Sequence, residues 1–381
     1  MKLLFVNSSI DPFSGGGTAE RTVQLAIHLS RKGIETSILT SDQGVDEKLY
    51  NRISGIKLHT LPLIAERYLI PKVWVPHIIK IIKEIDIVHL MNHWTAFNAV
   101  VYILCKWFRK PYVICPAGAL PIFGRSRKLK SIYNIVIGNS IIQNAAAHVG
   151  ITENETRQFL TYGVEPKKVT IIPNGINPED FIDSNKDEFR KKFGIGNHPF
   201  ILFVGRLNLI KGPDLLLEAF AGILPRFPDY HLVFAGPDEG MLESLHNFVE
   251  SRKIQHSVHF IGYITGKEKS WAYHAAELLA VTSRQEAMSI VALEAGCTGT
   301  PVLLTDVCGF DQVEAIGGGL VVRPTVTDIK DGLDHLLHDP LRMERMGSAL
   351  EKFVLDNFTW NSVVDRYVSL FQIILNGKPG L

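Results

Sequence analysis

Cysteine is scarce, net charge is nearly absent, and no long apolar run occurs. Only four of the 381 residues are cysteine (Cys105, Cys115, Cys297, Cys308), with no C-x-x-C spacing. That excludes a disulfide framework and any readable zinc or redox motif, and leaves free thiols in a reducing compartment. The 40 Lys and Arg nearly balance 39 Asp and Glu, for a net charge of +1, so nucleic acid is not expected as a partner. No window approaches the ~18–20 apolar residues that span a bilayer. The N-terminal "MKLLFVNSS" holds only the run Leu3–Val6, too short for the apolar core of a signal peptide. A cytoplasmic location is therefore expected. There is no Asp-x-Asp to suggest a divalent metal, no G-x-G-x-x-G, no Gly-x-x-x-x-Gly-Lys and no low-complexity segment.

What remains is a globular composition, 46% hydrophobic and 21% charged, in a chain long enough for two domains. "KLLFVNSS", "IETSILTSD", "DIVHLMN" and "PYVICPAG" read as buried strands. Between the first two, "TAERTVQLAIHLSRKG" sets Val23, Ala26, Ile27 and Ser30 at helical spacing and stops at Gly33. The pattern restarts after a polar stretch with "FILFVGRLN" and continues through "YHLVFAGP", "VHFIGY", "ELLAVTS" and "TPVLLTD". Strand–helix alternation of this kind predicts parallel sheets covered on both faces. The expected architecture is α/β, with two Rossmann-like, doubly wound domains at residues 1–175 and 176–360. A terminal helix over 361–381 is free to return to the first domain. Ligands bind beyond the carboxyl ends of strands in such sheets, so the cleft between the halves is the expected site.

Three segments lie at strand ends. Gly15, Gly16 and Gly17 stand between the first strand and helix, where backbone can approach an anion closely. In "FVGRLNLIKG", Arg206 and Lys211 follow the strand end at Gly205 and suit a diphosphate. In "EAMSIVALE", Glu286 and Glu294 bracket an apolar run, where charge is costly without a partner. Glu286 is expected in a loop and Glu294 in a helix beginning near Ser289. At 1.5 Å per residue they would stand roughly 12 Å apart, suiting two ends of one extended ligand. The N–H groups of Met288, Ser289 and Ile290 would face the same cleft, and carboxylates suit sugar hydroxyls. Two basic runs, "GRSRKLK" (124–130) and "KWFRK" (106–110), are solvated faces or a surface meeting anionic lipid or a phosphorylated substrate.

"FVGRLNLIKGPDLLLEAF" together with "SRQEAMSIVALEAGCTGTPVLLTD" closely resembles the signature of retaining GT-B glycosyltransferases of family 4 (glycosyl transferases group 1). "VTIIPNGI" and "VHFIGY" stand in the matching order. The resemblance covers essentially the whole chain and is strongest from about 165 to 310. It implies a GT-B fold and metal-independent transfer of a hexosyl or other sugar from a nucleotide-diphosphate donor to a hydroxyl acceptor. Bacterial polysaccharide or glycoconjugate assembly, a lipid-linked acceptor and the inner face of the membrane follow by the same analogy. No cofactor beyond the donor substrate is implied.

Residue by residue, the resemblance assigns Arg206 and Lys211 to the diphosphate, Glu294 to the ribose hydroxyls and Glu286 to the transferred sugar. Gly16, Gly17 and Gly205 line the phosphates with the 288–290 backbone, and Ile264 meets the base. Two departures stand out. Ala287, Met288 and Ser289 replace the usual Gly-Phe-Gly, and Ala117 stands where many relatives carry a His. His93 is a neighbouring candidate for that role. Ala117 keeps open a catalytically silent nucleotide-sugar-binding protein, and a GT-B epimerase or phosphorylase is a further alternative. Glu20, in the third glycine's place, speaks against an NAD-dependent enzyme.

Overall fold

Leu3, Leu4, Phe5 and Val6 are all fully buried, so the first strand is covered on both faces, as interior strands of a parallel sheet are. The computed structural model describes residues 1–11, 15–65, 70–72, 75–122, 126–310 and 312–377. The strands among them are β1 (Lys2–Val6), β2 (Glu35–Ser41), β3 (Lys57–Leu61), the small antiparallel pair β4 (Leu63–Ala65) and β5 (Ile70–Pro71), β6 (Ile87–Met91), β7 (Tyr112–Cys115), β8 (Ala147–Gly150) and β9 (Val169–Ile171). After these come β10 (Phe200–Val204), β11 (His231–Ala235), β12 (Val258–Gly262), β13 (Leu278–Val281), β14 (Val302–Thr305) and β15 (Gly319–Val322).

Two parallel sheets result, in the orders β3-β2-β1-β6-β7-β8-β9 and β12-β11-β10-β13-β14-β15. Each is Rossmann-like and doubly wound. Strand order reverses between β1 and β6 in the first sheet and between β10 and β13 in the second. At such a switch point the loops leaving the two adjacent strands diverge to opposite faces and open a crevice.

The chain divides into two compact units, Met1–Asn174 with the segment from Trp360 onward, and Gly175–Thr359. The helix Trp360–Leu375 belongs to the first unit because Trp360, Val363, Val364, Tyr367 and Phe371 form one buried stripe. Its anchor is Arg21, a fully buried residue of the helix Gly16–Arg31. Arg21 Nη2 donates to the Tyr367 hydroxyl at 3.0 Å and to the Ile172 carbonyl at 2.7 Å; Nη1 donates to the Pro173 carbonyl and Asn174 Oδ1 at 2.7 and 2.9 Å. One guanidinium thus gathers the segment leaving the first unit and the helix that returns to it. His89 on β6 lies beside them, its Nε2 3.3 Å from the Tyr367 hydroxyl. Burial, with the Arg21 cation adding to it, holds its imidazole down to about 3.

Candidate active site

The loops flanking the second switch point are stitched to each other before any charged side chain is considered. Gly212 takes φ +66°, and a Cβ there would lie 2.1 Å from the Thr282 carbonyl oxygen. Only glycine lets the loop after β10 press against the end of β13 this closely. The Thr282 hydroxyl donates to the Gly212 carbonyl at 2.8 Å. Arg284, just after β13, reaches back to the Leu209 carbonyl and grips Asp214 through Nη1 and Nη2, at 2.8 and 2.5 Å. Its own N–H donates to the Ile210 carbonyl at 2.7 Å.

This stitching brings Lys211 and Glu286 together. Lys211 Nζ lies 2.8 Å from Glu286 Oε1, with the side chains 24% and 13% exposed. Ser283 donates to Glu286 Oε2 at 3.0 Å. Arg206, further out on the same loop, bonds Glu239 Oε1 at 2.9 Å, while Asn208 Nδ2 donates to Glu239 Oε2 at 2.7 Å. Glu239 follows β11, so a third strand end contributes.

Glu294 stands on the helix Ile290–Cys297, which Ser289 caps by accepting from the Ala292 N–H. The residue is only 6% exposed. Lys269 Nζ bonds its Oε1 at 2.6 Å and the Tyr273 hydroxyl donates to its Oε2 at 2.5 Å. Lys269 and Tyr273 occupy i and i+4 of the helix Lys267–Ala275, one turn apart on one face. Burial, together with the adjacent Glu294 charge, keeps the Tyr273 phenol well above its ordinary value, so it stays a donor. Each of the three expected charged positions, 206 with 211, 286 and 294, therefore has an opposite charge in contact.

Several expectations need correction. The Ser289 N–H is not free: it donates to the Cys308 carbonyl at 3.0 Å, because the segment before the helix runs along the β14 exit. Ile290 is the first helical residue, whose N–H a helix leaves without an internal partner. The Met288 side chain is buried. Helical rise does not measure the spacing of Glu286 from Glu294, since residues 286–289 are irregular. Ile264, the expected base contact, follows β12 as a buried side chain, 4% exposed, beside the exposed Tyr263. Gly205 stands where expected, its N–H donating to the Ala235 carbonyl at 2.9 Å.

In the first unit, Gly15 caps the helix Gly16–Arg31, and Gly16, at its start, takes the left-handed φ of +57°. Residues 12–14 of that stretch, and Gly124 and Arg125 of the basic run, lie outside the described residues. His93 is fully buried, hydrogen-bonded through Nε2 to Asn134 Oδ1 at 2.9 Å and packed against Trp94, Tyr133 and Tyr162. Burial holds its ring down to about 4, so it is a neutral core histidine at neutral pH. Ala117 adopts φ +49° ahead of Gly118, whose N–H donates to the buried Glu155 at 2.5 Å.

Sequence reasoning missed Glu239, Lys269 and Tyr273. Glu239 was findable as one of the two acids of "PDEG" at a strand end, and the other two as an i, i+4 pair on one helix.

Two Rossmann-like parallel sheets, the second carrying acid–base pairs on the loops of its switch point, define a GT-B enzyme. The family profile described as "Glycosyltransferase Family 4" matches residues 15–180, and "Glycosyl transferases group 1" matches 185–353. The chain belongs to the GT-B glycosyltransferases of family 4. An uncharacterized glycosyltransferase of Methanocaldococcus jannaschii is 27% identical over 98% of this chain and 99% of its own length. The D-inositol 3-phosphate glycosyltransferase of Corynebacterium diphtheriae is 32% identical over 61% of this chain, a match spanning 57% of that protein. Among solved structures, Anabaena HepE, crystallised with UDP and glucose, superposes with a TM-score of 0.81 at 18% identity, covering 98% of this chain and 99% of that one.

Proposed function

We propose that the second unit binds a nucleotide-diphosphate sugar and that the enzyme transfers the sugar, with retention and without a metal, to a hydroxyl acceptor. The observation that carries this reading is the Lys211–Glu286 contact at the β10/β13 switch point. It sets a phosphate-binding group and a hydroxyl-binding group side by side, as a sugar diphosphate requires. HepE's complexes with UDP and with UDP-glucose support the donor class.

Breaking the glycosidic bond builds positive charge on the sugar and negative charge on the departing diphosphate. Arg206 and Lys211 stabilise the departing charge, aided by the amino end of the helix Ile290–Cys297. Glu286 orients the sugar through its hydroxyls, and Glu294 accepts hydrogen bonds from the ribose. The acceptor hydroxyl attacks from the face the leaving group vacates and passes its proton to a phosphate oxygen, so configuration is kept.

The acceptor is proposed to be lipid-linked and met at the inner face of the membrane. Support comes from the helix Arg127–Tyr133 and the π turn Asn134–Gly138 that continues it. Leu129, Ile132, Ile135 and Val136 are exposed there, the last two at 81% and 73%, behind a first turn bearing Arg127 and Lys128. Cations beside a bare apolar stripe suit an anionic lipid surface.

The test of the donor class is a thermal-shift panel of UDP-, GDP- and ADP-sugars, followed by NMR of the anomeric configuration of the product. No shift with any sugar nucleotide would refute the donor class, and an inverted product would refute retention.

A further inference from the structure

Glu294 is the acid that the donor reading places against the ribose, yet it is nearly buried and both of its oxygens are already engaged. An ionised carboxylate offers about four lone-pair positions. Lys269 and Tyr273 take one on each oxygen, at 2.6 and 2.5 Å, from successive turns of one helix. A carboxylate held at both oxygens cannot rotate about its terminal bond, so its two remaining positions point in fixed directions. A vicinal diol presents two hydroxyl donors in fixed directions and gains most from an acceptor already aimed at it. Lys269 also supplies the charge that offsets burial of the carboxylate, and Tyr273 adds a hydrogen bond without a second charge.

We infer that Lys269 and Tyr273 are positioning residues for the nucleotide subsite, holding the Glu294 carboxylate in the plane that meets the ribose diol. The inference rests on the donor reading above. The rival account is a latch, in which the same bonds merely join the helices Lys267–Ala275 and Ile290–Cys297. A latch changes stability; a positioning pair changes ligand affinity and is sensitive to donor geometry.

The experiment compares wild type with Tyr273→Phe, Lys269→Met, Lys269→Arg and Glu294→Gln. Each is titrated calorimetrically with UDP, GDP and ADP, its melting temperature is recorded, and its turnover of UDP-, GDP- and ADP-glucose is measured. Positioning predicts that Tyr273→Phe and Lys269→Met each weaken the diphosphate that wild type binds by roughly 5- to 10-fold. Lys269→Arg recovers most of that loss, and donor KM rises while kcat holds within about 2-fold. Melting temperatures that fall while affinity and KM hold would overturn the inference in favour of the latch. If Glu294→Gln weakens binding but the Tyr273 and Lys269 variants do not, the inference fails and the donor reading stands. If Glu294→Gln binds as wild type does, or wild type binds none of the three diphosphates, the donor reading fails and this inference with it. Should Tyr273→Phe not fold, the Lys269 pair carries the test alone.

Discussion

Lys211 and Glu286 are 75 residues apart in sequence and 2.8 Å apart in space, each the other's counter-charge. The pair is mostly shielded from water, so desolvation offsets much of its attraction and it is a poor stabiliser for its size. Removing one partner, by contrast, leaves the other charge uncompensated.

Lys211→Met is expected to lower kcat/KM about 100-fold or more and to cost ~1–3 kcal/mol of stability. Adding Glu286→Gln should restore much of the stability and none of the activity. A double-mutant cycle read by denaturation and by turnover checks both halves; stability losses that simply add would show the contact to be incidental.

Gly212→Ala is expected to destabilise by at least ~2 kcal/mol, since it meets both the left-handed backbone and the Thr282 carbonyl. Gly33→Ala is the control: φ is +79° but nothing lies within 4 Å of the added methyl. It should cost only ~1 kcal/mol. Equal losses in urea denaturation would contradict the close approach at position 212.

His89 gives the pH dependence. Its ring is neutral when folded, held at about 3, against an ordinary value of 6.5. Between those values the unfolded chain binds the extra proton, so the stabilisation is complete above pH 6.5 and is lost as pH falls toward 3. The loss approaches ~1.4 kcal/mol per pH unit for this one group. His89→Phe, measured by denaturation from pH 7 to 5, should flatten that slope; an unchanged slope would mean another group sets it.

Ile135→Ser with Val136→Ser is expected to abolish sedimentation with phosphatidylglycerol-containing vesicles. Transfer to a soluble acceptor should be left intact. Retained sedimentation, or equal binding to pure phosphatidylcholine vesicles, would remove the case for an anionic bilayer on this face.

The sheets were legible because β1 and β10 are continuous apolar runs, which only a strand covered on both faces requires. Strands β3, β8, β9 and β15 were not read from the sequence: β9 and β15 are short and only part buried, and β8, though buried, is four residues, "AHVG", with little apolar content. Candidate site residues could be named because each follows a strand end. Their pairing could not, because the partners of Lys211, Arg206 and Glu294 stand 75, 33 and 25 positions away. No local spacing links such residues; the switch-point topology does. Sequence locates Ile264 beyond β12 but does not say that its side chain is the buried one and that of Tyr263 the exposed one.

The Arg21 node makes the last helix an internal part of the first unit rather than an appendage. A chain cut after Thr359 would spare the second unit and strike the first, removing the Tyr367 hydroxyl and the apolar stripe that buries the Arg21 guanidinium. Loss of the carboxyl-terminal turns, by proteolysis or a premature stop, would therefore be felt at the opposite end of the sequence, where β1 and its helix begin.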